Sequence, residues 1–194
     1  MFENVVRAEE FLCDRAKTCC FTGHRKKALP DGGSDFARST DVIKSLLAYK
    51  CEEAYGEGYR TFITGMAEGI DLFCAEIVNK MKNNRNYPGI ELVCALPYAE
   101  QIRELGDADD RYLYSMITEQ ACSRLVIISQ KWDKERYRKR NSFMVEHSSL
   151  LIGAYYPENY ASGTRQTVNL ARKSGLRLDL IDLSGSGSYW EETD

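Results

Sequence analysis

The sequence predicts an α/β fold built on a mostly parallel sheet of about six strands. Three observations carry this. Six short apolar runs recur along the 194 residues. Most are separated by stretches with the apolar spacing of a helix. Several runs are almost continuously hydrophobic, as expected of strands covered on both faces. Strands and helices alternating at this length close through right-handed crossovers.

The elements follow in order. Residues 1–17 read as an N-terminal extension or helix. The first strand is Thr18–Thr22, ending at Gly23. Ile43, Leu46, Leu47, Cys51 and Ala54 then recur at helical spacing, and Gly56-Glu57-Gly58 supplies a stop. The second strand is Thr61–Thr64, followed by Ile70, Phe73, Ile77 and Met81 on one helical face. The third is Glu91–Leu96, ended by Pro97, with a helix expected over 109–122. The fourth, Leu125–Ser129, precedes a short helix over 141–149. The fifth is Leu150–Tyr155, then a helix over 164–173 ending at Gly175, then the sixth, Leu176–Ile181. The domain therefore spans 18–183. Residues 184–194 form a Ser/Gly-rich tail expected to be flexible. Residues 131–140 hold six basic and two acidic side chains. They read as a solvated loop or as a mobile flap that contacts phosphates.

Composition excludes several classes. Hydrophobic residues make up 43% and charged residues 28%, an ordinary globular mix. No apolar run approaches the ~18 residues of a membrane span. The first residues carry acids and lack a signal-peptide core, which argues against secretion. With 26 basic against 29 acidic residues and a net charge of −3, the composition argues against nucleic acid as a partner. Seven cysteines without zinc-type spacing predict no metal site. Used as small buried hydrophobes, they fit a reducing cytoplasm. Cys19 and Cys20 are neighbours in a strand and should face opposite sides.

In such a sheet, ligands lie beyond the carboxyl ends of the strands. Three glycine-bearing segments follow strands there. Thr64-Gly65-Met66-Ala67-Glu68-Gly69-Ile70-Asp71 is the most informative. Its glycines permit a tight turn and a close approach, and the helix start offers N–H groups to an anion. Asp71 in the first turn serves either to cap the helix or to contact a ribose hydroxyl. Ser162-Gly163-Thr164 reads as a second phosphate cradle or as an N-cap. Gly23-His24-Arg25 offers a titratable ring and a fixed cation suited to phosphate or carboxylate. Each has a plain structural reading as packing, capping or surface loop. Their convergence on one rim favours a ligand site.

Taken together, CCFTGHR (19–25), FITGMAEGID (62–71), ALPY (95–98), DRY (110–112), RN-x-x-MVEHS (140–148) and SGT (162–164) resemble the YpsA-like branch of the SLOG superfamily. That superfamily includes the Lonely Guy phosphoribohydrolases and the DNA-processing DprA/Smf proteins. The resemblance implies a Rossmann-like three-layer sandwich that binds a nucleotide or nucleotide-derived ligand such as NAD or ADP-ribose. It implies a pocket lined by Gly23, His24, Arg25, Thr64, Gly65, Met66, Gly69 and Asp71. Ser162, Gly163 and Thr164 would hold phosphate, Arg140, Asn141 and Glu146 would close the opposite side, and Tyr112 would contact base or ribose. One departure matters. Lonely Guy enzymes share PGGxGTxxE, whose acid serves catalysis. Here the leading PGG is missing and Thr167 stands at the acid's position, where no carboxylate can stabilise a cationic ribose centre.

Three functions follow as expectations. The first is a module that binds or senses a nucleotide-derived ligand, requires no cofactor, and passes the signal to a partner or a second copy in a homodimer. The second is an N-glycosidic hydrolase, with Glu68 or Glu146 as catalytic acids and Asp71 as a third candidate. The third is a DNA-processing accessory protein, in which Arg138, Lys139 and Arg140 would meet single-stranded DNA.

Overall fold

The computed structural model describes residues 4–129, 133–159 and 162–184. The β-branched and apolar runs form β1 (Val5–Arg7), β2 (Thr18–Gly23), β3 (Thr61–Thr64), β4 (Glu91–Leu96), β5 (Arg124–Ile127), β6 (Leu150–Tyr155) and β7 (Arg177–Asp182). Among the described residues these make one sheet in the order β1-β5-β4-β3-β2-β6-β7. Every pairing is parallel. The helices are α1 (Arg38–Gly56), α2 (Ile70–Lys82), α3 (Ala108–Met116), α4 (Arg136–Glu146) and α5 (Gly163–Lys173).

Alternation along each strand sorts the core into two halves. Cys19, Phe21, Phe62, Leu92 and Leu125 pack with Ile43 and Leu47 of α1, Leu72 and Phe73 of α2, and Tyr114 of α3. Cys20, Ile63, Val93, Val126 and Leu151 pack with Phe143, Met144 and Val145 of α4 and with Val168 and Ala171 of α5. The result is a Rossmann-like three-layer sandwich. Cys19 and Cys20 fall on opposite faces, both fully buried. Burial pushes the Cys20 thiol up to about 12, so both serve as apolar packing. No helix among the described residues is long and apolar enough to cross a membrane.

Three differences from the sequence reading have physical causes. The segment before Thr18 contributes an edge strand, β1, paired with β5, in addition to an extension. Three residues are too few to show a strand period. The helix expected over 141–149 begins at Arg136. The charges of its first turns hide its pattern, and only Phe143, Met144 and Val145 form a visible apolar face. Half of the proposed flap is therefore helix, while 131 and 132 lie outside the described residues. The third helix ends at Met116 and continues as a π turn, Ile117–Ala121. Of the tail, only Ser184 is described.

The order of the sheet fixes where a ligand can sit. From β2 the chain moves outward through β3, β4 and β5, then returns to place β6 on the other side of β2. The loops after β2 and β6 leave in opposite directions and open a crevice at this switch point.

Candidate functional site

A cavity of about 340 Å³ occupies that crevice. It is lined by the end of β2 and the loop beyond it (residues 21–25, 27 and 28), by the first turns of α4 (Tyr137, Arg140, Asn141) and by the start of α5 (162–164 and 167). Ala67 and Asp71 complete the floor, and Asn159 lies at the β6–α5 connection.

Side-chain hydrogen bonds sew these elements together. Thr164 Oγ1 donates to the Gly23 carbonyl at 2.8 Å, tying α5 to the end of β2. Asn141 Nδ2 donates to Thr167 Oγ1 at 2.8 Å, and that hydroxyl donates to the Gly163 carbonyl at 3.1 Å. Ser162 caps α5 by accepting from the Arg165 N–H at 3.1 Å. The Gly163 and Thr164 N–H groups, first in α5, have no acceptor among the described residues. N–H groups at a helix start carry a partial positive charge that favours an anion.

In the β3–α2 segment, expected as an anion cradle, the Met66 and Ile70 amides are taken by the protein itself. Thr64 Oγ1 accepts from the Met66 N–H at 3.2 Å and donates to the Asp71 carbonyl. The Ile70 N–H donates to the His24 carbonyl at 3.2 Å. Thr64, Gly65, Met66 and Gly69 do not line the cavity. Met66 takes a left-handed φ of 54° and buries its side chain in the core. Gly69, at φ 84°, lies so close to the β2–α1 loop that a Cβ would sit 2.5 Å from the His24 carbonyl oxygen. Its role is packing.

What this segment supplies is Asp71, which is neither a cap nor a free ribose ligand. Its Oδ2 meets Arg140 Nη1 at 3.2 Å, with both side chains more than nine-tenths buried. Burial raises the Asp71 carboxyl above its ordinary range, opposed by Arg140. Burial likewise lowers Arg140, opposed by Asp71. In both groups desolvation outweighs the partner. Among the described residues the guanidinium makes one hydrogen bond, and its buried Nε has no partner. Gly65 makes room for it, since a Cβ there would lie 1.4 Å from Arg140 Nη1.

His24 is 4% exposed, and its Nε2 accepts the Tyr156 N–H at 3.0 Å. The rings stack at 5.5 Å. This bond requires an unprotonated Nε2, and burial lowers the imidazole below its ordinary value. Arg25, beside it, is half-exposed and reaches Glu104 Oε2 at 3.8 Å and the Tyr137 ring at 5.8 Å. Glu104 also accepts the hydroxyls of Tyr98 and Tyr137 and lies 3.5 Å from Arg136 Nη2.

Nine of the residues expected from sequence share this cavity: Gly23, His24, Arg25, Asp71, Arg140, Asn141, Ser162, Gly163 and Thr164. Two expectations need correction on position. Tyr112 is 75% exposed on α3 and is not part of the lining. Glu146 ends α4, exposed, with its carbonyl accepting from Arg15, whose chain enters the opposite end of β2. Glu146 ends the helix six residues beyond Arg140, and only Arg140 faces the cavity. Glu68 is half-buried but outside the lining. Sequence reasoning passed over Lys27 and Tyr137. Tyr137 precedes Arg140 by three residues, a relationship visible only once α4 is known to start at Arg136. Among the described residues, no group of His, Cys, Asp or Glu is arranged to hold a metal ion.

Fold and crevice define a doubly wound α/β protein with a polar cavity at its switch point. The sequence model of the YpsA family, described as the YspA SLOG family, matches residues 19–184, and the chain belongs to this family. Among curated proteins it is similar to a UPF0398 protein of Bacillus cereus (strain B4264), 29% identical over 136 residues, covering 70% of this chain and 72% of that protein. A UPF0398 protein of Bacillus thuringiensis (strain Al Hakam) matches with the same identity and coverage.

Proposed function

We propose that the cavity binds a phosphorylated, nucleotide-derived small molecule, with NAD and ADP-ribose the leading candidates, and that the protein acts as a binding or sensing module. The observation that carries this is Arg140, a buried guanidinium on the cavity wall that uses one hydrogen bond and leaves its Nε unpaired. A buried charge so poorly compensated gains from an incoming anion. Arg25, Lys27 and the start of α5 add to the positive field, while Asp71 is the sole carboxylate in the lining among the described residues. Membership of the SLOG family supports a nucleotide as the bearer of the phosphate. Readout passes through a partner protein or a second copy of the chain. Six of the seven free cysteines are buried, which supports a cytoplasmic setting.

Binding is favoured over hydrolysis because Thr167 occupies the acid's position with its hydroxyl already engaged. Glu68 and Glu146 are outside the lining. An N-glycosidase reading rests on Asp71, whose carboxylate is tied to Arg140.

Titration calorimetry with NAD, ADP-ribose and AMP tests the proposal. At least one should bind saturably, and Arg140→Met should weaken it by about 1.5–3 kcal/mol, the range for a hydrogen bond to a charged group. A folded protein that binds none of them refutes the assignment. Release of free base that stops in Asp71→Asn would establish the hydrolase.

A further inference from the structure

We infer that Glu104 is a specificity-determining residue: it acts as an internal counter-anion for Arg25, and a ligand's second anionic group recruits Arg25 to the cavity by competing with it. The inference rests on the anion site proposed above and deepens it.

The geometry separates the partners of Glu104 into a fixed set and a loose one. Tyr98, from the loop after β4, and Tyr137, from the first turn of α4, both donate their hydroxyls to the carboxylate. Arg136 approaches at 3.5 Å and lies over the Tyr98 and Tyr137 rings at 4.9 and 5.0 Å. These contacts bind the β4 loop to α4 and fix the carboxylate in place. Arg25 is different. It stands at 3.8 Å from Glu104, beyond hydrogen-bond distance, and its side chain is 41% exposed.

Glu104 itself does not line the cavity, whereas Arg25 and Tyr137 do. Moving Arg25 toward a ligand therefore leaves Glu104 with its hydroxyl donors and Arg136, and strands no buried group. Arg140 cannot move this way, because it is buried against Asp71. Beside the exposed Lys27, the site thus pairs a fixed cation, Arg140, with a recruitable one, Arg25. A ligand with a single phosphate can be held by Arg140 and the amides of α5. A ligand with two anionic groups draws on Arg25 in addition to Lys27, and Glu104 opposes the recruitment of Arg25 by charge.

Glu104→Gln keeps an acceptor for one tyrosine hydroxyl, offers an amide N–H to the oxygen of the other, and removes the charge. Inorganic phosphate and pyrophosphate are the probes, titrated calorimetrically into the full chain. The variant should bind pyrophosphate about five- to tenfold more tightly than the native protein, with phosphate affinity unchanged within about twofold. In an Arg25→Met background the Glu104→Gln substitution should have no effect on pyrophosphate, which separates competition for Arg25 from a structural disturbance. Pyrophosphate affinity unchanged or weakened in Glu104→Gln, or a gain that survives in Arg25→Met, overturns the inference and leaves the anion site standing. If the native protein binds neither probe, the anion site itself fails and this inference falls with it.

Discussion

Arg140 and Asp71 meet at 3.2 Å in the lining of the cavity, a buried pair in which burial penalises each charge more than its partner relieves it. Asp71→Ala leaves a buried guanidinium alone. Such a break should destabilise the fold by about 3 kcal/mol, the lower end of the usual range for one-sided loss of a buried pair. The Asp71→Asn/Arg140→Met double variant should be less destabilised than the two single changes combined. Urea unfolding of the four proteins measures this, and simple additivity would show that the two side chains act independently.

Gly65 is governed by the same pair. A methyl at this position would collide with Arg140 Nη1 at 1.4 Å and with Asp71 Oδ2 at 2.6 Å. Gly65→Ala should therefore expel the guanidinium and cost about as much stability as losing one member of the pair, roughly 3 kcal/mol. It should also abolish ligand binding. In an Arg140→Ala background much of this penalty should vanish, since the collision is removed. A penalty of equal size in both backgrounds would place the need for glycine elsewhere.

This pair marks where the sequence stops being legible. The β–α alternation identified six of the seven strands, because apolar runs such as Leu92–Leu96 advertise strands covered on both faces. The position of the crevice followed from glycines at strand ends. The TGMAEGID segment looked like a cradle for an anion because glycine permits both an open amide nest and a close packing contact. Only three dimensions show that Arg140, 69 residues downstream of Asp71, fills the space that Gly65 leaves. Glu146 lies outside the lining for a related reason. Six residues along a helix carry a side chain about 9 Å away from Arg140, far enough to leave the site.

Thr164 anchors the start of α5 through its hydroxyl bond to the Gly23 carbonyl. Thr164→Val preserves shape and leaves that carbonyl without this donor. The loss should be about 1–2 kcal/mol of stability, with weaker ligand binding as the α5 amides lose their position. Glu146→Gln offers the contrast. Exposed at the far end of α4, it should stay within about 0.5 kcal/mol of the native protein and leave binding intact. Melting curves with and without ligand distinguish the pair, and a binding defect in Glu146→Gln would contradict the placement of the site.

His24 makes stability depend on pH with a definite sign. Its Nε2 accepts the Tyr156 N–H, so the folded state holds the ring neutral, and burial lowers its folded pKa below the ordinary 6.5. The unfolded chain then binds a proton more readily than the folded one. The contribution of His24 is fully present above about pH 6.5 and is lost as pH falls from there through the folded pKa, at up to about 1.4 kcal/mol per pH unit. Protonation also turns the acceptor into a donor facing the Tyr156 N–H, which breaks the link between the β2 loop and the end of β6. A difference against a non-titrating variant isolates this contribution. His24→Gln keeps a polar side chain without a titrating ring. The stability gap between native and variant proteins should be largest near pH 7.5 and should shrink toward pH 5.5. A gap that stays constant across that interval would mean that the imidazole is not held neutral by this contact.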